Sequence, residues 1–508
     1  MRNMYFRKTT KEDLLTILKI YQSAICFMRE NGNVEQWNDF DSLRSNVVSD
    51  IHEGTSYVLV DDEEIEAVFS LHEGIEPSYL SIDGKWHHDS PYMTIHRIAV
   101  NKKHKGYGMA CMAFGMLQSS HIRIDTHETN KSMRSLIEKN RFEYCGVITL
   151  SDKTKRVAFE KIVSFSDKLL SWYLLNHREL PWRKDHDFYH VYLSEVMLQQ
   201  TRVESVKGYY ERFLSALPSL KDLADAKEDV YLKLWQGLGY YSRIKNLAKG
   251  AKYIVSDYGD SYPRTLEELL LVPGIGEYTA KAILSISYDE RYIAVDGNLL
   301  RVFSRLTCYG KDIHSVQAKK DCEKYFLDLL KEKPSFFNQA LMDLGEMVCS
   351  PHGEIHCDIC PLKGFCKSFA SGVADKYPKK SSPIKKKEVM MTVFLLSYQD
   401  RYVIRKRKDE GLLSSLYEFW NVKGYLEKEE VNAYLEKEGF SVSSIKELPD
   451  SRHVFTHLIW SMKGYEVILT RIPQNEDYIL ATKDEIQNRY SVPSAFHLYL
   501  DIIGKVNR

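Results

Sequence analysis

The chain has 508 residues, zero formal net charge, 44% hydrophobic and 28% charged side chains, the profile of a globular protein with room for about three domains. That balance excludes an intrinsically disordered chain and a uniformly basic one, so any nucleic-acid contact has to be local. No apolar run approaches the roughly 18 residues that span a bilayer, and residues 1–8 lack the apolar core of a secretory signal. Nine cysteines, an odd number with four of them clustered, favour a reducing compartment and one metal site over a disulfide framework. The expectation is a cytoplasmic monomer without membrane contact.

Residues 1–162 predict a mixed α+β domain. Residues 11–29 read as helix, and 57–60 and 65–70 as a hairpin around an acidic turn. A strand at 93–100 then leads through a basic loop into an apolar helix reaching Ser120, with a strand at 122–126 and a helix at 132–140. Strand, basic loop, glycines at 106 and 108 and helix make a phosphate cradle, because glycine admits an anion close to the backbone and a helix start offers unpaired N–H groups. A solvated loop is the plain alternative, and the third glycine of a dinucleotide fingerprint is missing. Lys105-Gly106-Tyr107-Gly108-Met109-Ala110 resembles motif A of the GNAT N-acetyltransferases. The resemblance implies a GNAT-like fold over 1–162 that binds acetyl-CoA through Lys105, Gly106, Gly108 and Ala110, with Ile98, Val100 and Asn130 beside it, and acetylates an unidentified amine. Lys105 replaces the family's usual Arg or Gln, and Arg141 a common glycine, departures that bear on turnover more than on binding.

From 163 to 370 apolar residues recur at three and four, as in Leu266, Leu269, Leu270 and Ala282, Ile283, Ile286, which predicts helices throughout. Residues 266–272, the turn Pro273-Gly274-Ile275-Gly276 and residues 277–286 form a helix-hairpin-helix. Gly274 and Gly276 are free to take positive φ and bare their N–H groups to a DNA phosphate, although any helical hairpin needs such residues. Asp296 stands in an apolar, strand-like run, and Glu195 lies among Val191, Leu193, Val196, Met197 and Leu198. Those neighbours predict a half-buried carboxyl with raised proton affinity. Two carboxylates in different environments suit cleavage of an N-glycosidic bond, one protonating the leaving base and the other steadying an oxocarbenium-like sugar, once the base has left the stack.

Leu180-Pro181-Trp182-Arg183, the 194–201 stretch, Gly237-Leu238-Gly239-Tyr240-Tyr241-Ser242-Arg243, residues 273–280, Asp296-Gly297-Asn298 and Phe337-Asn338-Gln339-Ala340 resemble, in order, the endonuclease III superfamily and its MutY-type adenine DNA glycosylases. The resemblance implies an all-α helix-hairpin-helix domain over 163–370 in which Glu195 protonates adenine N7 and handles the water, Asp296 stabilises the sugar cation, and Tyr278 and Asn298 support that intermediate. It makes Arg178, Trp182, Leu198 and Gln339 an adenine pocket, and Gln200 and Tyr240 the residues that fill the base stack. Arg183, Gln199, Thr201, Leu238, Gly274 and Gly276 join the DNA-contacting set. Bifunctional relatives carry a lysine where this chain has Tyr278, so no strong β-lyase step is expected, with Lys281 three residues on as the remaining amine.

Cys349, Cys357, Cys360 and Cys366 are separated by seven, two and five residues. Zinc fingers use two close pairs and only Cys357 and Cys360 form one. Three cysteines within ten residues and an outlier suit a 4Fe–4S cubane, with zinc and unliganded thiols as alternatives. The implied role is structural, holding a loop with Lys363 and Lys367 against the DNA backbone. Residues 371–388 read as an exposed linker, and 389–508 return to strands, including 391–397, 401–405 and a half-buried strand over 453–460. With Gly411-Leu412-Leu413 and residues 416–419, this part resembles the Nudix-like α+β C-terminal domain of the same glycosylases. That implies recognition of 8-oxoguanine by Phe455, Thr456 and His457, with Thr456 in place of the commoner Ser. No Arg-Glu-x-x-Glu-Glu cluster is visible, so the domain is expected to read rather than hydrolyse.

The implied substrate is double-stranded DNA with an 8-oxoguanine:adenine mispair. The rivals are another mismatched base, such as thymine opposite guanine, and an acetyltransferase that uses the DNA-binding part for targeting.

Overall fold

The computed structural model describes residues 4–101, 106–259, 261–351, 353–379, 386–408, 411–455, 457–474 and 477–505; Lys105 and Thr456 lie outside them. The chain is multidomain and forms two compact units, each from two separated stretches: Met1–Glu179 with Asp289–Lys380, and Leu180–Tyr288 with Ser381–Arg508. The helical segment is thus divided between them.

The first unit holds an eight-stranded sheet of β1 (Tyr5–Lys8), β2 (Ser56–Asp61), β3 (Glu64–Glu73), β4 (Ile82–Gly84), β5 (Met93–Val100), β6 (His121–Thr126), β7 (Glu143–Thr149) and β8 (Lys155–Ile162), in the order β1-β2-β3-β5-β6-β8-β7-β4. The acidic turn expected between β2 and β3 is there, with Asp62 and Glu63 both at positive φ, the geometry that matches the twist of a tight hairpin. Successive side chains point to opposite faces. Val58 and Val60 pack under the helices Leu14–Glu30 and Phe40–Glu53, while Leu59 joins the core beneath the helix Tyr107–Gln118. Parallel pairing of β5 with β6 is confined to Met93↔Ile122 and Thr94↔Arg123.

β8 ends at Ile162 and a helix spans Phe165–Asn176, so no flexible tether separates them. Ser164 and Asp167 close a reciprocal capping box at its start. Leu117 packs into the core of the following helices, and the Lys168 ammonium donates to the Leu117 carbonyl oxygen at 2.7 Å. Burial pushes the Lys168 pKa down to about 8. Between about 8 and the ordinary lysine value the unfolded chain therefore binds more protons than the native one, so this group makes stability rise with pH across that window. Lys168→Met is expected to flatten that rise relative to the parent in denaturant titrations between pH 8 and 10; curves that stay parallel would count against it.

Helices Gly297–Thr307, Val316–Leu329 and Pro334–Met347 complete this unit around Leu169, Trp172, Phe303, Phe326 and Phe337. The apolar run before Asp296 is not a strand. Among the described residues it has no strand neighbour, and the fully buried Asn338 side chain serves it instead, accepting from the Ala294 N–H at 2.8 Å and donating to Tyr292 and Pro334 carbonyls at 2.9 Å. The segment read as linker is also partly anchored. Arg305 donates to the Tyr377 carbonyl, and the Ile313 N–H to that of Lys379.

The second unit contains the helices Phe188–Leu198, Val203–Ala216, Ser242–Tyr258, Leu266–Leu271 and Glu277–Tyr288. Its sheet comprises β9 (Lys387–Tyr398), β10 (Arg401–Lys406), β11 (Tyr417–Lys423), β12 (Ser441–Val454), β13 (Leu458–Arg471) and β14 (Ile479–Ala481), ordered β12-β13-β9-β11-β10-β14. The strand expected over 453–460 is instead a hairpin. His453 faces Trp460, Val454 faces Ile459, and the Phe455 N–H donates to the Leu458 carbonyl at 2.8 Å. Apolar residues stand on both sides of the reversal, so periodicity did not reveal it. Among the described residues no helix is long and apolar enough to cross a membrane.

Candidate active site

In the second unit, the helix Phe188–Leu198 is buried on nearly every side, so Glu195 is 6% exposed rather than half-buried. The Tyr278 hydroxyl, in the first turn of the helix Glu277–Tyr288, donates to Glu195 Oε2 at 2.7 Å. Lys281 is held by Glu277 at 2.6 Å. Between the hairpin helices, Gly274 has φ +85° and an added Cβ would meet Asn246 Cβ at 2.5 Å; Gly276 lacks the positive φ expected of it but has open space beside it. Gln199 donates to Thr279 Oγ1 at 3.4 Å. Gln200 and Tyr240 are exposed, Leu238 is buried, and Trp182 packs edge-on against Tyr210, with Arg183 next to it in the same short turn.

In the first unit, Asp296 caps the helix Gly297–Thr307, accepting from the Leu299 N–H and from Asn298 Nδ2, both at 2.8 Å. Burial nevertheless raises its pKa above the usual carboxylate value, against the pull of those hydrogen bonds and of Arg301. Asn298 also accepts from Arg301 at 2.7 Å. Arg178 pairs with the fully buried Asp343 at 2.6 Å, and Gln339 accepts from the Tyr173 hydroxyl at 3.1 Å and donates to Ser335.

The four clustered thiols line one cavity with Val302, Leu306, Leu344 and Leu362. Burial and the neighbouring thiols push Cys360 up to about 12, an environment hostile to thiolates unless a cation compensates them. Arg305 donates to Cys349 Sγ at 3.1 Å and to the Cys349 and Ser350 carbonyls, and Arg301 donates to the Cys349 carbonyl at 2.8 Å.

A cavity of about 1040 Å³ in the N-terminal domain is lined by Ile98, Val100, Gly106, Gly108 and Asn130. Gly106 takes φ 111° at the helix start, and a Cβ on Gly108 would press on Leu136 at 3.3 Å. Asn130 caps the next helix through the Met133 N–H, and Ala110 is buried in the core. In the C-terminal hairpin, Phe455 packs edge-on against His453 and Trp460 while His457 is exposed.

Residues 193–327 match the HhH-GPD superfamily base excision DNA repair protein model, and 392–501 a NUDIX domain. An adenine DNA glycosylase from Buchnera aphidicola is 34% identical over 306 residues, across 58% of this chain and 85% of that protein. The chain belongs to the adenine DNA glycosylase family. It is therefore an enzyme of base-excision repair, as its ordered motifs implied. A mouse adenine DNA glycosylase is 42% identical over 218 residues, 41% of this chain and 42% of that protein. A GNAT-family acetyltransferase from Streptococcus agalactiae is 29% identical with a TM-score of 0.29, spanning 31% of this chain and 95% of that one.

Some residues that organise this glycosylase escaped the sequence reading: Asn338 as the partner of an orphaned loop, Asp343 under Arg178, and Arg301 with Arg305 beneath Cys349. The one available signal was Arg301 and Arg305 four apart on a helix near the cysteines, which a solvated face explains equally well.

Proposed function

We propose that this chain removes adenine mispaired with 8-oxoguanine or guanine by hydrolysing the N-glycosidic bond. The observation that carries the reading is a carboxyl group, Glu195, sunk in an apolar helix yet held by the Tyr278 hydroxyl. Such a group suits delivering a proton to a purine and taking one back. Glu195 protonates adenine N7 as the C1′–N9 bond breaks and its electron pair leaves with the base. Asp296 steadies the cationic sugar, Tyr278 and Asn298 support it, and water adds at C1′ while its proton passes to Glu195. Arg178, Trp182, Leu198 and Gln339 hold the extruded base, Gln200 and Tyr240 fill the stack, and Arg183, Gln199, Thr201, Leu238, Gly274 and Gly276 meet the DNA backbone. Measuring base release from 8-oxoguanine:adenine, guanine:adenine and guanine:thymine duplexes tests the substrate, and faster thymine release would favour the rival. Lys281 sits in an ion pair with Glu277 and Tyr278 cannot form a Schiff base, so borohydride is expected to trap little covalent protein–DNA product.

The domains of this reading are 1–162, 163–370 and 389–508, joined by 371–388, in a cytoplasmic protein. Cys349, Cys357, Cys360 and Cys366 hold a 4Fe–4S cluster. All four line one cavity, and their spacing of seven, two and five residues suits a cubane better than the two close pairs of a zinc finger. When bound, the cluster braces its loop and supplies no step of the hydrolysis, while Arg301 and Arg305 offset its thiolate charge. Iron analysis tests it. In the C-terminal domain Phe455, Thr456 and His457 read 8-oxoguanine. Phe455→Ala is expected to reduce the preference for 8-oxoguanine:adenine over guanine:adenine by roughly 10-fold, since one stacked contact is worth about 1–3 kcal/mol, without changing release from the guanine mispair.

The N-terminal cavity favours a second activity. Its size and glycine-rich rim fit acetyl-CoA at Ile98, Val100, Gly106, Gly108, Ala110 and Asn130, with Lys105 in the same motif. Calorimetric titration with acetyl-CoA tests this.

A further inference from the structure

Two exposed side chains assigned above to the base stack sit on unusual backbone. Gln200 has φ 58° and Tyr240 φ 48°, a region that residues other than glycine keep only where their surroundings enforce it. Both loops meet at one guanidinium. Arg243, in the first turn of the helix Ser242–Tyr258, is 8% exposed. Its Nη1 donates to the carbonyls of Val196 at 3.1 Å, Met197 at 2.9 Å and Gln199. Its Nη2 donates to Thr201 Oγ1 at 3.1 Å and to the carbonyls of Leu238 at 3.2 Å and Gly239 at 3.1 Å.

The Val196 and Met197 carbonyls are among those a helix leaves unpaired at its C-terminal end, here the helix that carries Glu195. A buried cation there also complements the helix dipole. Burial lowers the Arg243 pKa only to about 10, so the charge persists at neutral pH. The guanidinium further lies 5.4 Å from the Tyr240 ring centre and 5.3 Å from that of Trp235, within cation–π range. A planar fork of donors spans two loops at once; a lysine ammonium is a single point and does not.

We propose that Arg243 is a positioning residue that locks the 199–201 and 238–240 loops to each other and to the end of the Glu195 helix, so that Gln200 and Tyr240 enter the duplex as one rigid pair. This rests on their assignment to the base stack. Its consequence falls on opening the duplex, not on breaking the bond. A target adenine already unpaired makes less use of the lock.

The full-length protein and its Arg243→Lys, Gln200→Ala, Tyr240→Ala and Tyr240→Ala/Arg243→Lys variants are compared in single-turnover adenine release. One duplex pairs the adenine with guanine, and the other places it opposite an abasic site. Arg243→Lys is expected to slow release from the paired duplex about 10-fold more than from the unpaired one, because misplacing a group by about 1 Å costs rates of this order or more. Being a ratio between two substrates on one preparation, this result is insensitive to partial misfolding. Added to Tyr240→Ala, Arg243→Lys is expected to cost markedly less than on its own, as residues acting as a unit do. Equal slowing on both substrates, full additivity, or no slowing by Arg243→Lys overturns the proposal. If Gln200→Ala and Tyr240→Ala both leave paired release unchanged, the stack assignment itself fails and takes this inference with it.

Discussion

Glu195→Gln is expected to slow adenine release by about a thousand-fold, the middle of the range that a positioned proton donor and acceptor contributes. Glutamine matches glutamate in shape, and its carbonyl oxygen can still accept from the Tyr278 hydroxyl that lies 2.7 Å from the carboxylate. What disappears is the exchangeable proton. The site is 6% exposed, so a neutral amide is tolerated at least as well as a carboxyl. Melting temperature and affinity for a mispaired duplex should therefore stay near those of the parent. That separation distinguishes chemistry from folding. A variant releasing adenine within about 10-fold of the parent would remove Glu195 from the mechanism.

Asp296→Asn is expected to cost about a hundred-fold or more in release, since in the proposed mechanism it deletes the anion that steadies the sugar cation. Asparagine is as good an N-cap as aspartate, so the bond from the Leu299 N–H survives, while that from Asn298 Nδ2 is lost. The stability effect has a definite sign. The Asp296 pKa is raised in the folded protein, so just above the ordinary aspartate value the native state binds more protons than the unfolded one. Its contribution to stability then falls as pH rises from the ordinary aspartate value through the raised one. The variant should thus be no less stable than the parent at pH 7, with a flatter acid-side profile. Release by the parent should decline as pH falls towards the raised pKa, because the protonated acid no longer steadies a cation. A variant that is both active and strongly destabilised would make Asp296 a structural cap alone. Denaturant melts and single-turnover rates from pH 4.5 to 7.5 read both effects.

Chemistry carried by neighbours in sequence was legible from the residues. The Pro273–Gly276 turn, the spacing of the four cysteines, the glycines at 106 and 108 and the acidic hairpin at 61–64 each depend on a few consecutive positions, and the family followed from the ordered stretches between 180 and 340. Errors arose where a local pattern had two structural solutions. The apolar residues over 453–460 fit a strand or a hairpin. The apolar run before Asp296 fits a strand or a buried loop fed by a side chain from elsewhere.

By itself the sequence supplied the candidate groups of the proposed chemistry: two carboxylates, a tyrosine in place of a lysine, four thiols and a pair of glycines before a helix. Residue type and short spacing set acidity, nucleophilicity and ligand number. Only the tertiary structure decided which of them are buried and what holds them. Arg243 reaches carbonyls 47 residues upstream, Asn338 serves a backbone 44 residues away, and the 163–370 helices are divided between two compact units. Each such pairing is favourable only once the intervening chain has collapsed and excluded water from both partners, and no window of neighbouring residues carries that information.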